Sequence, residues 1–188
     1  MPETKTDPRI LRTRRLIMDA FLQISMKKDF KDITIKDITA EATVNRATFY
    51  YHFLDKYDLA ERVLKEDLMV HVIHEIHEHR DINEEAITSV FLAVTGFQSL
   101  LSAQCRRNYL TFLTMIEALI KKELENTFFD IFSRQHPSHN KESLRIAAAT
   151  LSWGIYGATV DWQHNSSLQA EEYIKLAMPY ILHGINWL

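Results

Sequence analysis

The sequence holds one cysteine, four glycines and four prolines in 188 residues. A lone thiol, Cys105, excludes an intrachain disulfide and a cysteine-based zinc site. So few glycines and prolines cannot punctuate a many-stranded β-fold, which needs turn residues at short intervals. The same scarcity excludes collagen-like and low-complexity chains. No secretory leader is expected, because the apolar run after the basic Arg9–Arg15 stretch is broken by Asp19, Gln23, Lys27 and Lys28. One uncharged stretch, Ala86–Cys105, has the length of a membrane span. Thr88, Ser89, Thr95, Gln98, Ser99, Ser102 and Gln104 make it too polar for lipid. The expectation is a buried core helix in a cytoplasmic protein without a membrane partner.

Catalytic signatures are missing as well. There is no Gly-rich phosphate loop, no nucleophile elbow and no HExxH. Asp161 and His164 share a helix face, but an Asp/His pair without a placed nucleophile carries little chemistry. Neither an enzyme nor a resident cofactor is expected.

Charge is present but unevenly spread. The net charge is −3, which argues against a general polyanion binder. Residues 1–60 hold eleven Lys/Arg against nine Asp/Glu, so +2; the remainder holds eleven against sixteen, so −5. A basic head on an acidic body directs any anionic partner to the N-terminal third.

Helical periodicity runs through almost the whole chain, and no strand or internal repeat stands out. Asp7-Pro8 reads as N-cap plus N1 proline. Ile17, Ala20, Phe21 and Ile24 then repeat at helical spacing, predicting a first helix over about Pro8–Lys28. Thr34, Asn45 and Asp55 cap helices over Ile35–Ala42, Arg46–Phe53 and Lys56–His79. Asn83 opens the uncharged helix, which breaks near Cys105–Asn108. Helical pattern resumes over Tyr109–Arg134. After the loop Gln135–Lys141 come two last helices, Glu142–His164 and Leu168–Trp187.

The two short capped helices at Ile35–Ala42 and Arg46–Phe53 have the outline of a helix-turn-helix. Ile35 and Ile38 give the first an apolar face, and Val44 plugs the turn. Phe49 and Phe53, four residues apart, anchor the second, while Arg46, Thr48, Tyr50 and His52 offer hydrogen-bond donors on its other faces. An ordinary helical hairpin with a polar face remains compatible with this spacing alone. The stretch ITIKDITAEATVNRATFYYHFLDKYDL, Ile33–Leu59, resembles the DNA-binding signature of TetR-type transcriptional regulators. The Arg-rich start of the first helix and its Ala20-Phe21 pair fit as well, so the likeness covers about residues 9–65.

The resemblance implies an all-α fold. A helix-turn-helix DNA-binding domain over residues 1–54 would be joined by a long helix to an effector-binding and dimerisation domain over 55–188. It implies phosphate contacts from Thr34, Thr48, Tyr51, His52 and Lys56, with Asn45 at the same surface. Lys36, Arg46 and Tyr50 would reach base edges, Arg46 foremost, because a guanidinium can grip guanine O6 and N7 together. Two positions depart from the family pattern. Thr43 replaces a usual glycine, which would strain a β-branched residue at positive φ. Thr39 replaces a usual alanine, its hydroxyl expected to bond to the backbone one turn back.

The last two helices carry seams at 3.5-residue spacing: Leu144, Ala148, Leu151, Ile155, Ala158 and Trp162, then Ala170, Ile174, Ala177, Ile181, Gly184 and Leu188. Two such helices from each of two subunits would make a four-helix bundle; packing within one subunit is the alternative. Pro179 should bend the last helix. The aromatics Phe91, Phe97, Tyr109, Phe112, Phe128, Trp153 and Tyr156 read either as a pocket for an apolar or aromatic effector or as a filled core. His71, His74, His77 and His79, mixed with Glu75 and Glu78, read as a solvated helix face, and no metal is expected. The sequence thus predicts a repressor that binds a palindromic double-stranded operator as a homodimer and is released by a small ligand. The alternative is a DNA-binding regulator whose body binds a partner protein.

Overall fold

The structure is a computed structural model, and it describes residues 7–104 and 107–183, without the side chains of residues 103–106. Cys105, Gly184, Leu188 and the expected end of the last helix at Trp187 lie outside the described residues. Nine α-helices and no strand occur among the described residues: α1 (Pro8–Ser25), α2 (Ile35–Glu41), α3 (Arg46–His52), α4 (Lys56–Val63), α5 (Val70–Glu78), α6 (Glu84–Gln104), α7 (Tyr109–Gln135), α8 (Lys141–Asn165) and α9 (Ala170–His183). A 3-10 turn, Phe30–Asp32, joins α1 to α2, and a π-helical turn, Leu64–Leu68, follows α4.

The helix starts follow side-chain chemistry. Asp7 accepts the Arg9 N–H at 2.9 Å, with Pro8 at N1. Thr34 and Asp37 form a reciprocal capping box at the start of α2. Asn45 accepts the Thr48 N–H at 2.7 Å at the start of α3, and Asp55 accepts the N–H groups of Tyr57 and Asp58 at the start of α4. Each carboxylate or amide satisfies donors that a helix N-terminus leaves open.

The single helix expected over Lys56–His79 is interrupted. The π turn at Leu64–Leu68 carries Glu66 and Asp67, and these carboxylates face two arginines of α1. Arg14 grips Glu66 through two bonds of 2.6 and 2.7 Å, and Arg15 pairs with Asp67. The inserted residue shifts the buried face, so that Leu64 and Met69, five apart, are both buried.

The chain forms two compact units, Met1–Leu68 with Gln104–Phe112, and Met69–Ala103 with Leu113–Leu188. The boundary expected at 54/55 falls inside the first. In the first unit Ile17, Phe21, Phe30, Ile38, Phe49 and Leu59 are buried. Phe112 joins them, 6.4 Å from Phe21 and 5.9 Å from Phe30 between ring centroids. In the second, Val90, Phe91 and Val94 of α6, Ile120 and Leu124 of α7, Ile155 of α8 and Ile174 of α9 are buried, and the Phe91 ring meets Trp162 of α8 and Tyr173 of α9. Glu84–Ser102 is long and apolar enough to cross a membrane, yet half of it is buried within the protein.

Candidate nucleic-acid interface

The interface is built on α2, the turn after it, and α3. Helix α2 buries Ile38 and Thr39. The Thr39 hydroxyl donates to the Lys36 carbonyl at 3.2 Å, the backbone bond expected of it. The turn then reverses through Thr43 at φ 54°. The Thr43 N–H donates to the Ala40 carbonyl at 3.2 Å and the Val44 N–H to that of Thr39 at 3.0 Å, a Schellman ending with threonine in the left-handed position. Val44 is half-buried beneath the turn.

Helix α3 divides as a DNA-reading helix must. Phe49 is fully buried, and Phe53, just past its end, is 2% exposed. Their ring centroids lie 5.8 Å apart. On the outer side Arg46, Tyr50 and Tyr51 are exposed, Tyr51 by 70%. Arg46 Nη2 donates to the Tyr50 hydroxyl at 3.1 Å, and its guanidinium lies 5.5 Å from that ring's centroid. The pair stacks a planar donor on an aromatic support one helical turn away, which limits its rotamers before any base arrives. Lys36 on α2 is exposed too. His52 is half-buried, and burial first, then the charge of Arg14, holds its imidazole below the usual range.

Three residues expected at phosphates bond within the chain. The Thr34 hydroxyl donates to Asp37 at 2.8 Å, and the Thr48 hydroxyl donates to its cap Asn45 at 2.9 Å. Lys56 departs furthest. Its ammonium donates to the carbonyls of Phe30, Lys31 and Ile33 at 2.9, 3.1 and 2.9 Å. An ammonium has three donors, and all are used. The neighbouring N–H groups of Tyr57 and Asp58 are filled by the Asp55 carboxylate. At the start of α4 these N–H groups are thus filled by an acid of the chain itself, and Lys56 closes the 3-10 turn. Asp37, bonded by Lys28 Nζ and by both the N–H and hydroxyl of Thr34, is held far below the ordinary carboxylate range.

The aromatic set of the body does not converge. Phe112 belongs to the first unit, and Tyr109 lies in the segment that joins it. Trp153 is 60% exposed, with Lys121 Nζ 3.6 Å from its ring centroid. Phe91, Phe97, Phe128 and Tyr156 are buried, with Phe91 stacked on Tyr173 at 5.8 Å and 10°. The body's interior also holds Gln98, 1% exposed, with neither its side-chain oxygen nor its nitrogen bonded.

The seam residues divide between inside and outside. Leu144, Ala148, Ile155 and Ile174 are buried within a single chain, and Trp162 donates to the Leu168 carbonyl while its ring meets Phe91. These five pack within the subunit. Leu151, Ala158, Ala177 and Ile181 instead line an open groove of about 790 Å³ between α8 and α9, with Gly154 and Tyr180. The outward stripe of α8 is Ala147, Thr150, Gly154, Gly157 and Asp161, all exposed. A Cβ added at Gly154 or Gly157 would meet nothing within 4 Å. The seam's strongest apolar residues had marked the inner face; the outer one is written in small residues, which hydropathy underweights.

Of the histidines, His71 and His74 are exposed beside Glu75, while His77 Nε2 lies 3.3 Å from Glu123 and its Nδ1 3.1 Å from the Thr127 hydroxyl. No group of three or more metal-binding side chains occurs among the described residues.

Residues 17–63 match the family described as bacterial regulatory proteins, tetR family. The HTH-type transcriptional regulator YxbF of Bacillus subtilis is 39% identical over 64 residues, 34% of this chain and 17% of that protein. The chain thus spans under a fifth of that relative's length. An HTH-type transcriptional regulator of Staphylococcus aureus (strain USA300) is 21% identical over 150 residues, 77% of this chain and 80% of that one. Among solved structures, a TetR transcriptional regulator from Streptococcus agalactiae matches with a TM-score of 0.54 and 22% identity, covering 92% of this chain and 95% of that one. NalD, a repressor of a multidrug efflux pump in Pseudomonas aeruginosa, matches with 0.53 and 20%, covering 93% and 97%. Identities this low speak for the fold. The family match spans the buried face of α1, the capping box, the turn at Thr43 and the divided helix α3. Residues 17–63 thus carry a helix-turn-helix segment of the tetR-family type, and the likeness of the rest of the chain to solved regulators is one of fold.

Proposed function

We propose that the protein is a cytoplasmic repressor that binds a palindromic operator as a homodimer and is released by a small, mostly apolar molecule held in the body. The observation that carries the DNA reading is the outer face of α3, where Arg46 is braced on Tyr50 beside the exposed Tyr51. Arg46 is the base-reading residue, with Lys36 and Tyr50 beside it; Tyr51 and His52 meet phosphates. The α8–α9 groove and its glycine stripe support the dimer, because two copies related by a two-fold axis would cover it symmetrically. Gln98 supports the effector. A buried amide without partners costs about 1–3 kcal/mol per unmade bond, and a ligand bearing one uncharged polar group would recover it. Phe91, Val94 and Leu101 share its side of α6 and are buried as well.

The test is selection from a pool of random duplexes by the full-length protein. Enriched sequences should be palindromes with half-sites about 34–36 Å apart, and sedimentation should show two chains per duplex. An unenriched pool overturns the DNA reading. Single half-sites bound by one chain overturn the dimer.

A further inference from the structure

We propose that Asn108, in the turn between α6 and α7, is a positioning residue for the DNA-reading helix. It acts through Phe30 and Lys56, and the proposal rests on the DNA-binding reading above.

Asn108 lies far along the chain from the helix-turn-helix, yet it belongs to the same compact unit. It is 3% exposed. Its Oδ1 accepts the Phe30 N–H at 2.7 Å, and its Nδ2 donates to the carbonyls of Ser25 and Lys28 at 2.7 and 3.1 Å. One amide thereby closes the end of α1 and fixes the start of the 3-10 turn. The contacts around it run the same way. Arg107 pairs with Asp29 at 3.0 Å, and Phe112 packs against Phe21 and Phe30.

Phe30 is held from the other side by Lys56. Asn108 takes the Phe30 N–H; Lys56 takes the Phe30 carbonyl, along with those of Lys31 and Ile33. The ammonium also sits 4.9 Å from the centroid of the Phe30 ring, whose edge meets Tyr57. Lys56 opens α4, four residues after α3 ends at His52. The connection between them is stiff: Asp58 accepts the Leu54 N–H at 3.0 Å, and Asp55 caps α4. A rigid path therefore runs from the α6–α7 turn through one peptide unit and one ammonium to the end of α3. The Asn108 bonds to Phe30 and Ser25 are buried, and its bond to Lys28 and the Lys56 bonds to Phe30 and Ile33 are half-buried, where hydrogen bonds are strong and their geometry is restrictive. Both helices flanking Asn108 continue by covalent connection into the second unit.

Removing Asn108 should disturb where α3 sits more than whether the protein carries positive charge. The test uses full-length Asn108→Ala, Lys56→Met and the double variant. It employs a duplex selected by the wild type and a mixed-sequence duplex of equal length. Asn108→Ala should weaken the selected duplex by about tenfold, the scale of losing one or two buried bonds, and the mixed duplex by less than about threefold, since phosphate attraction is sequence-independent. The double variant should lose no more than the worse single, because both substitutions release the same turn. Equal losses on both duplexes, or losses that multiply, overturn the proposal. Amide exchange on the wild type covers the case in which Asn108→Ala does not fold. The Phe30 amide should exchange as slowly as the Phe49 amide in α3, and exchange at the rate of an exposed loop overturns the proposal.

Discussion

The Val44 N–H donates to the Thr39 carbonyl at 3.0 Å, and the turn that permits this bond holds Thr43 at φ 54°. A β-branched residue there costs on the order of 1–2 kcal/mol. Thr43→Gly should therefore stabilise the protein by about 1 kcal/mol, the gain trimmed by glycine's greater freedom when unfolded. Urea denaturation measures it. The selected duplex should bind equally well, because the Thr43 backbone already has the path glycine would take. A lower midpoint for Thr43→Gly would mean that the threonine side chain supports the turn.

Arg46 and Lys56 should part company when mutated. Arg46→Ala should cost about 1–3 kcal/mol on the operator and relax preference at one base pair per half-site. Lys56→Ala should instead lower folding stability, by about 1–3 kcal/mol, since three carbonyls lose a charged donor. Its binding should keep the wild-type salt slope, because no phosphate contact is removed. A salt slope reduced by about 1 per subunit in Lys56→Ala would restore the phosphate role read from sequence.

That contrast marks where sequence reading stops. The existence and order of the elements were legible, because caps and apolar spacing act within a few residues: Asp7-Pro8, Thr34 with Asp37, and Asn45 all open helices as their chemistry requires. Arg46 and the buried Phe49/Phe53 pair were legible for the same reason. The Lys56 bonds were not, because their acceptors lie more than twenty residues upstream and are backbone carbonyls, which no residue pattern advertises. Asn108 was invisible likewise: a polar residue in a loop reads as a turn former until the fold brings Phe30 against it. The aromatic set was legible only as a pocket or a filled core. Spacing alone cannot distinguish Phe91, stacked in the interior, from Trp153, which lies outside under Lys121.

His52 should give DNA binding a pH dependence. Burial, and secondarily Arg14, lower its pKa in the free protein. The stability that neutral His52 supports is full above about pH 6.5, the unfolded value, and is lost as pH falls through the lower folded value. A phosphate nearby favours the protonated ring, so binding should take up a proton and affinity should rise as pH falls. Binding isotherms at pH 7.5 and 6.0 for wild type and His52→Gln measure the difference. Identical pH dependence in the two proteins would remove His52 from the phosphate contacts.

The dimer prediction rests on Gly157. A side chain there has open space within one subunit, since an added Cβ meets nothing within 4 Å. Gly157→Leu should therefore leave the single chain folded, and leucine even favours the helix by about 1 kcal/mol over glycine. In the proposed four-helix bundle the same side chain would overpack a close helix crossing, costing about 1–3 kcal/mol. It would do so on both subunits, because a two-fold interface counts each substitution twice. Sedimentation at micromolar concentration should show a wild-type dimer and a weakened Gly157→Leu dimer with unchanged helix content. Leu144→Ala is the control for the inner face: it should lower the unfolding midpoint of the chain through a cavity, with association affected only through that loss. A monomeric wild type, or a Gly157→Leu protein that associates as tightly as wild type, would exclude the α8–α9 groove as the interface.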